Sequence, residues 1–280
     1  MLGDPKMTEL FFWTAREREL IRLKRESGLA SPWTKDEILA ANRFTNVRRE
    51  HDRVTVWFRE NLRDPLKDRP QAVTMATVVF RTFNLVTTGE KLKPMLEAWD
   101  WDSGVARNLL RGQAPIVTGA YIVRTPWGMN KLEGVLKIID GFEDHAIMDE
   151  LIEATTLKQA HELLITVPYF GHFTAYEVVS DLRWTCVLRD APDIMTWANP
   201  GPGCLRGMEY ILGIPLPQSR ANRELCLANM QRLLELSRKQ RYWPQDYGQW
   251  EMREVEHWLC EFSKYMHARE GKRLKRRFTP

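Results

Sequence analysis

The sequence predicts an all-α protein, and three observations lead to that prediction. Apolar residues recur at three- and four-residue intervals through most of the 280-residue chain, which is the spacing of amphipathic helices. Short turns containing Gly or Pro separate these segments. Near the middle of the chain, a turn built from Pro168 and Gly171 joins two such segments into a helical hairpin. Residues 118–123 are compatible with a strand or a short buried helix, because their apolar run has no clear period.

The composition is that of a globular protein without a membrane span. Hydrophobic residues make up 44% and charged residues 28% of the chain, and no apolar run approaches the roughly 18 residues that cross a bilayer. The first residues do not have the pattern of a signal peptide. The formal net charge of +4 is compatible with nucleic acid as a partner but does not require it. We therefore expect no contact with a membrane.

The four cysteines do not indicate a metal centre. Cys186, Cys204, Cys226 and Cys260 are far apart in the chain and form no Cys-x-x-Cys motif. A zinc knuckle or an iron–sulfur cluster is therefore not expected, and buried reduced thiols are the simpler interpretation. His257 and Cys260 would form only half of a metal site, so a core histidine is the preferred interpretation of His257.

Two helices are predicted in the N-terminal part of the chain. Residues Thr8–Glu26 have amphipathic spacing, and Gly28 ends that helix. Thr34 with Glu37 three residues later has the sequence of a capping box. It predicts a second helix that runs to about Asn61.

The second helix would carry a polar face. Asn42, Asn46, Arg49 and Arg53 fall together on it at helical spacing. Two arginines one turn apart are suited to hold a phosphate. A solvated basic face is the alternative interpretation.

A buried helix is predicted at Thr74–Phe83, which is apolar nearly all round. Polar residues such as Arg81 and Asn84 are unusual in a buried helix, and an unpaired charge on Arg81 would be costly in a core. A structural ion pair and an anion site at the floor of a cleft are both compatible with them.

The rest of the chain continues in helices. The predicted segments are Leu92–Trp99, Ser103–Leu110, Lys131–Ile139, Ile147–Ala154, Leu205–Leu212, Arg220–Arg241 and Glu251–Arg269. In the last of them, an apolar stripe that includes Leu259 and Phe262 predicts the core face. Glu261 and Lys264 lie beside that stripe.

The hairpin carries the clearest functional signal. At the start of its second helix, backbone N–H groups and the helix dipole favour a phosphate. Five residues match the helix-hairpin-helix loop of the DNA glycosylase superfamily, which this segment resembles: Val167, Pro168, Gly171, Thr174 and Ala175. Tyr169 stands where that loop has its first glycine. A helical corner without a ligand is the alternative.

Further motifs extend the resemblance to a narrower family. These are Tyr176-Glu177, Asp181-Leu182-Arg183-Trp184, Gly201-Pro202-Gly203 and the run Leu-Cys-Glu-Phe-Ser-Lys-Tyr at 259–265. From Asn42 to Tyr265 the chain resembles the α-glutamyl/putrescinyl thymine pyrophosphorylases of bacteriophages, also called amino acid:DNA transferases. This group is related to the helical domains of phage 5-hydroxymethyluracil DNA kinases.

The resemblance implies an architecture. It implies a helix-hairpin-helix, glycosylase-like fold of two helical lobes with a cleft between them. The hairpin lobe would span about 113–215, and residues 1–112 with 216–270 would form the second lobe. Residues 271–280 would be a basic tail.

The resemblance also implies an activity. An amine, such as an amino acid or a polyamine, would displace pyrophosphate from pyrophosphorylated 5-hydroxymethyluracil in DNA. Since the chain has no Gly-x-x-x-x-Gly-Lys-Ser/Thr loop, we do not expect kinase activity in it. A DNA glycosylase and a non-catalytic DNA-binding module are the alternatives. The expected location is the cytoplasm of an infected bacterium.

Roles follow for individual residues. Asp193 lies at the spacing of the glycosylase aspartate and is the first candidate for the general base, with an N-cap as its other interpretation. Asp181 and Glu261 come next, and a buried ion pair is the other interpretation of each. The pyrophosphate would contact Arg49, Arg53, Arg81, Asn84 and Lys264. The DNA would contact Tyr169, Phe170, Gly171, His172 and Thr174, with Tyr169 or Phe170 inserted as a wedge. No cofactor is implied, although a divalent cation accompanying the pyrophosphate is compatible with this chemistry.

Overall fold

The computed structural model describes residues 3–119, 123–142 and 145–274, and every regular element in them is helical. The all-α prediction is therefore confirmed for the described residues. The α-helices are α1 (Pro5–Glu26), α2 (Glu37–Ala41), α3 (Arg53–Phe58), α4 (Asp64–Leu66), α5 (Pro70–Phe83), α6 (Val86–Ala98), α7 (Ser103–Leu110), α8 (Lys131–Asp140), α9 (His145–Ile152), α10 (Leu157–Leu164), α11 (His172–Leu182), α12 (Pro202–Leu212), α13 (Arg220–Ser237) and α14 (Met252–Arg269). The expectation for 118–123 falls partly outside the described residues.

The chain divides into two compact units. Unit 1 contains the residues up to Asp52 and those from Met195 onward, and unit 2 is Arg53–Ile194. The lobes implied by the family resemblance divide the chain instead at 112/113 and 215/216. Residues 53–112 therefore share a unit with the hairpin.

Unit 1 is built around α14, which packs closely on α12. A Cβ atom on Gly207 would lie 2.1 Å from the Leu259 carbonyl oxygen, and one on Gly203 would lie 2.4 Å from Cys260 Sγ. These two glycines are four residues apart and face the same way, so they allow the two helix backbones to approach. Gly203 of the Gly-Pro-Gly motif thus has a packing function in this unit.

Aromatic residues fill the remaining core of unit 1. Phe11 of α1 meets Phe262 edge to face, with ring centroids 5.5 Å apart, and Phe12 stacks on Trp250 at 5.6 Å. The indole of buried Trp258 donates to the carbonyl oxygen of Phe11. The apolar stripe predicted for α14 is buried as expected.

Unit 2 is organised by α5. Every residue from Ala72 to Phe83 is buried, as the sequence predicted. Phe80 stacks on Phe58 with ring centroids 4.6 Å apart, and α11 packs along the same helix. A single turn of π-helix, Arg59–Arg63, follows α3.

The prediction of one helix from Thr34 to about Asn61 is wrong. Asp36 caps α2 instead of Thr34, accepting from the Leu39 amide, and the helix ends at Ala41. Contacts from distant segments hold the following backbone in a non-helical form. Arg18 of α1 donates to the Phe44 carbonyl oxygen, and the Glu261 carboxylate of α14 accepts from the Thr45 amide. These contacts satisfy backbone groups that a helix would otherwise use.

The polar face expected on that helix is consequently absent. Arg49 lies in a short 3₁₀ turn, Arg49–His51, and is buried, whereas Arg53 begins α3 and is exposed. The two arginines belong to different compact units. No continuous helix holds them as a pair.

Candidate functional site

The hairpin turn between α10 and α11 adopts the backbone conformation that a glycine normally provides. Tyr169 has φ +67°, in the left-handed region that is costly for a residue with a Cβ atom. The turn is stabilised within unit 2 by the rings of His161 and His172, which stack with centroids 5.4 Å apart. Tyr169 therefore holds a backbone conformation that a glycine would adopt without this cost.

Gly171 is the N-cap residue of α11, and no side chain caps this helix start. Its φ of −80° and ψ of 161° are accessible to any residue. A Cβ atom added there would have no protein atom within 4 Å. The protein itself thus does not require glycine at this position, and the space beside it is open.

The predicted DNA-binding residues of the hairpin differ in exposure. Phe170 is only 3% exposed and packs edge to face on Phe142, with ring centroids 4.8 Å apart. Thr174 is also buried, whereas Tyr169 is 56% exposed. Of the two aromatic residues considered as a wedge, only Tyr169 is presented to solvent.

Asp193 lies at the start of α10. Its two carboxylate oxygens accept from consecutive backbone amides, Leu157 N at 2.8 Å and Lys158 N at 3.0 Å. Thr156 caps the same helix start by accepting from the Gln159 amide. This geometry favours the capping interpretation of Asp193, although the helix it caps lies earlier in the chain.

Arg81, Asn84 and Asp181 meet in the core of unit 2. Arg81 donates through Nε to Asp181 Oδ2 and through Nη2 to Asp181 Oδ1 at 3.1 Å. Its Nη1 donates to Asn84 Oδ1 at 2.8 Å, and Nη2 also reaches Thr55 Oγ1 at 3.2 Å. Asp181 is fully buried and also accepts from Arg63. This satisfied network supports the structural alternative for Arg81 and Asp181.

Unit 1 contains a second polar cluster, between α14 and residues 44–52. The Glu261 carboxylate accepts from the Thr45 amide at 3.1 Å through Oε2 and from Lys264 Nζ through Oε1. His257 Nε2 lies 2.9 Å from Thr45 Oγ1 and 3.1 Å from the Asn46 carbonyl oxygen. Burial lowers the pKa of His257 to about 3, so its imidazole is neutral at physiological pH.

The same cluster includes Asp52, which the sequence analysis did not select. Its Oδ1 accepts from the Asn46 amide at 3.1 Å. Burial raises the pKa of Asp52 to about 6, with opposing effects from the Asn46 hydrogen bond and from Arg49. Arg18 joins the cluster by donating to Asn46 Oδ1 at 2.6 Å. Of the predicted site residues, unit 1 therefore brings together Arg49, Glu261 and Lys264.

The chain is similar to a known protein family and to a phage protein. A family described as "5-hmdU DNA kinase, helical domain" matches residues 5–274 of the chain. The chain belongs to this family of kinase helical domains. It is similar to the 5-hmdU DNA kinase of Bacillus phage SP10, with 28% identity over 286 residues that cover 92% of this chain and 44% of the phage protein. The chain thus spans less than half the length of that relative. No solved structure matches.

The helical-domain family confirms part of the sequence-based resemblance. The relation to the kinase helical domains is confirmed, while membership of the amine-transferring group stays a prediction. In the described part of this helical domain, no group of three or more His, Cys, Asp or Glu side chains is arranged to hold a metal ion. No described helix has the length and hydropathy needed to cross a membrane.

Sequence reasoning missed two further residues of this helical domain, one in the core of unit 2 and one on the hairpin surface. Arg63 is fully buried and contributes a second guanidinium to Asp181; its position in a π-helical turn gave no sequence signal. Phe173 is 53% exposed in the first turn of α11. An aromatic residue two positions after the cap of a predicted DNA-binding helix could have been selected by its position alone.

Proposed function

We propose that this protein acts in phage thymine hypermodification, transferring an amine onto pyrophosphorylated 5-hydroxymethyluracil in DNA with release of pyrophosphate. The family supports DNA carrying 5-hydroxymethyluracil as the substrate class, because the matched relative is described as a 5-hmdU DNA kinase. The observation that carries group transfer is the polar cluster of unit 1. It combines the carboxylates of Asp52 and Glu261 with the cations of Arg49 and Lys264. The reaction would take place in the cytoplasm of the infected bacterium.

The chemistry needs a base and cations. The nitrogen of the amine attacks the exocyclic carbon of the base, and the bond from that carbon to the pyrophosphate oxygen breaks with its electron pair on the leaving group. The ammonium form of the amine must first lose a proton to an acceptor. Lys264 is half-exposed and is suited to meet the negative charge of the pyrophosphate. A divalent cation would arrive with the pyrophosphate, which supplies its own oxygen ligands.

The hairpin is proposed as the DNA contact, in the manner of a helix-hairpin-helix. Backbone N–H groups at the start of α11 favour a phosphate, and the open space beside Gly171 lets the DNA backbone approach closely. Tyr169 is exposed at the turn and is suited to stack on a base or to insert beside it. His172 begins α11 next to this surface.

A second candidate function is a DNA-binding module without catalysis. One observation favours it: the chain corresponds to 44% of a larger kinase, so the matched region can serve a catalytic domain elsewhere. The carboxylates of Asp181 and Asp193 are both engaged in contacts that stabilise the fold. Under this hypothesis the protein binds modified DNA and converts nothing.

Mass spectrometry of nucleosides separates these functions. The protein is incubated with duplex DNA that contains pyrophosphorylated 5-hydroxymethyluracil, with and without an amine. An amine-dependent nucleoside of the expected added mass supports transfer. Unchanged nucleosides together with measurable DNA binding support the module, and a released free base with abasic DNA would indicate a glycosylase.

The variant that tests the role of the unit 1 cluster is Lys264→Met. It keeps the aliphatic stem of the side chain and removes the ammonium group. Loss of transfer with retained DNA binding in this variant would assign the activity to the unit 1 cluster.

A further inference from the structure

The carboxylates of this protein differ in how many of their oxygens are already occupied. Asp181 accepts at both oxygens from arginine, Asp193 accepts at both from backbone amides, and Glu261 uses one oxygen for the Thr45 amide and the other for Lys264. An oxygen that already accepts such a hydrogen bond has one lone pair fewer to offer to a substrate proton. None of these three is therefore well suited to be a general base.

Asp52 is different. Its Oδ1 accepts from the Asn46 amide, and among the residues that the structure describes no hydrogen bond reaches its Oδ2. The residue also remains partly exposed. Asp52 thus combines an oriented carboxylate with one oxygen that is open to a ligand.

A second observation also points to a ligand in this cluster. Arg18 is 7% exposed, and its Nη1 is buried without a hydrogen-bond partner in the described part of the chain. Its other donors hold the Phe44 carbonyl oxygen and Asn46 Oδ1. Burial lowers the pKa of Arg18, and the nearby Asp52 carboxylate opposes that shift, so the two side chains are close enough to interact. A ligand that accepts a hydrogen bond from this N–H group would satisfy it.

We propose that Asp52 is the general base that takes the proton from the incoming ammonium group at its open Oδ2. This inference rests on the proposed amine transfer and names the proton acceptor of that reaction. The ammonium N–H bond breaks, the proton forms an O–H bond with Asp52, and the nitrogen lone pair attacks the exocyclic carbon. The carbon–oxygen bond to the pyrophosphate breaks, and the leaving group departs with that electron pair.

The electrostatic setting suits this role. The charged groups facing Asp52 are Arg18 of α1, Arg49 of its own turn and Glu261 of α14. Burial raises the pKa of Asp52 to about 6, which is higher than that of an ordinary aspartate. The carboxylate is therefore ionised at neutral pH and is a stronger base than an exposed aspartate.

The test compares two kinds of amine with wild type and Asp52→Asn. An alkylamine is protonated at neutral pH and needs a base, whereas an alkoxyamine is already neutral. We expect Asp52→Asn to slow transfer of the alkylamine by about 10²- to 10⁴-fold and to slow transfer of the alkoxyamine little. Glu254→Gln is the matched control, because Glu254 is another buried carboxylate of unit 1 whose pKa is raised, to about 7. It should leave the alkylamine rate unchanged per folded molecule.

The results distinguish a failure of the proposed amine transfer from a failure of the proposed role of Asp52. Wild type that binds DNA but transfers neither amine would overturn both the transfer and the role of Asp52. An active wild type with an equally active Asp52→Asn, or with equal losses for both amines, would overturn only the role of Asp52.

If Asp52→Asn does not fold, wild type alone provides the test. Its alkylamine rate should rise with pH up to about 6 and then level off, as Asp52 ionises, while the alkoxyamine rate stays flat. Parallel pH profiles for the two amines would contradict the proposal.

Discussion

The guanidinium of Arg81 and the carboxylate of Asp181 form a two-point ion pair in the core of unit 2. The two residues are 1% and 0% exposed, and they lie on α5 and α11, 100 residues apart in the chain. Arg81 also donates through Nη1 to Asn84 and through Nη2 to Thr55. The pair joins the helix at the centre of unit 2 to the second helix of the hairpin.

We expect Arg81→Ala to destabilise the protein by about 3–5 kcal/mol, because it leaves the Asp181 carboxylate buried with fewer partners. Urea unfolding measures this loss. The double variant Arg81→Met, Asp181→Leu should recover much of it, since it removes both charges together. If Arg81→Ala instead unfolds at the wild-type urea concentration and loses transfer activity, Arg81 contacts the pyrophosphate and the structural interpretation is wrong.

Substitution of Tyr169 by glycine should raise the stability of the protein and lower its affinity for DNA. Tyr169→Gly removes the cost of a left-handed backbone at a residue with a side chain and should stabilise the protein by about 1 kcal/mol. It also removes the exposed ring, so affinity for duplex DNA should fall. Tyr169→Phe is the control, which should retain both the strain and the binding. Fluorescence anisotropy with labelled DNA and thermal unfolding measure the two effects, and equal affinities for the Gly and Phe variants would rule out a contact through the ring.

Gly171 tests the phosphate contact of the hairpin. Since a Cβ atom there meets open space at an ordinary φ, Gly171→Ala should fold with nearly wild-type stability. Gly171→Glu should fold as well but should abolish DNA binding, because its carboxylate would lie where a DNA phosphate is expected. Unchanged DNA affinity in the Glu variant would show that the hairpin is a corner without a ligand.

Asp193 should contribute to stability and not to turnover. Asp193→Ala removes the acceptor of the Leu157 and Lys158 amides and should cost about 1–2 kcal/mol of unfolding free energy. The rate per folded molecule should be unchanged. A folded Asp193→Asn that has lost about 10²-fold or more in rate would instead restore Asp193 as the general base.

Glu254 should make the stability of unit 1 dependent on pH. Burial and the neighbouring Glu251 raise its pKa to about 7. Because the pKa of Glu254 is higher in the folded than in the unfolded protein, its protonated form stabilises the folded state at low pH. This contribution to the unfolding free energy is lost as the pH rises through about 7 and Glu254 ionises. Glu254→Gln should therefore be more stable than wild type by about 1–3 kcal/mol at pH 8, with little difference at pH 4.5. Urea unfolding at both values checks this, and the exposed Glu150→Gln is a control that should show no such difference.

The sequence predicted those elements whose pattern is local. The buried helix α5 and the apolar stripe of α14 were recognised from spacing alone, and both are confirmed. The segment after Ala41 could not be predicted, because the contact that holds Thr45 comes from Glu261, 216 residues away. Helical spacing in this segment was overridden by tertiary hydrogen bonds.

The candidate site shows the same limit. The sequence selected Glu261 and Lys264 beside the core stripe, and these two residues are indeed paired. It could not show that Asp181 is enclosed by arginines or that Asp52 has an open oxygen, because both depend on partners from other helices. A carboxylate's availability is decided by its neighbours and not by its position in a motif.

The most direct test of the central proposal is the nucleoside analysis of DNA that contains pyrophosphorylated 5-hydroxymethyluracil after incubation with wild-type protein and an amine. We predict a new nucleoside whose mass increases with that of the amine supplied, together with one pyrophosphate released for each nucleoside formed. An unchanged nucleoside profile with every amine, from protein that still binds the DNA, would contradict amine transfer.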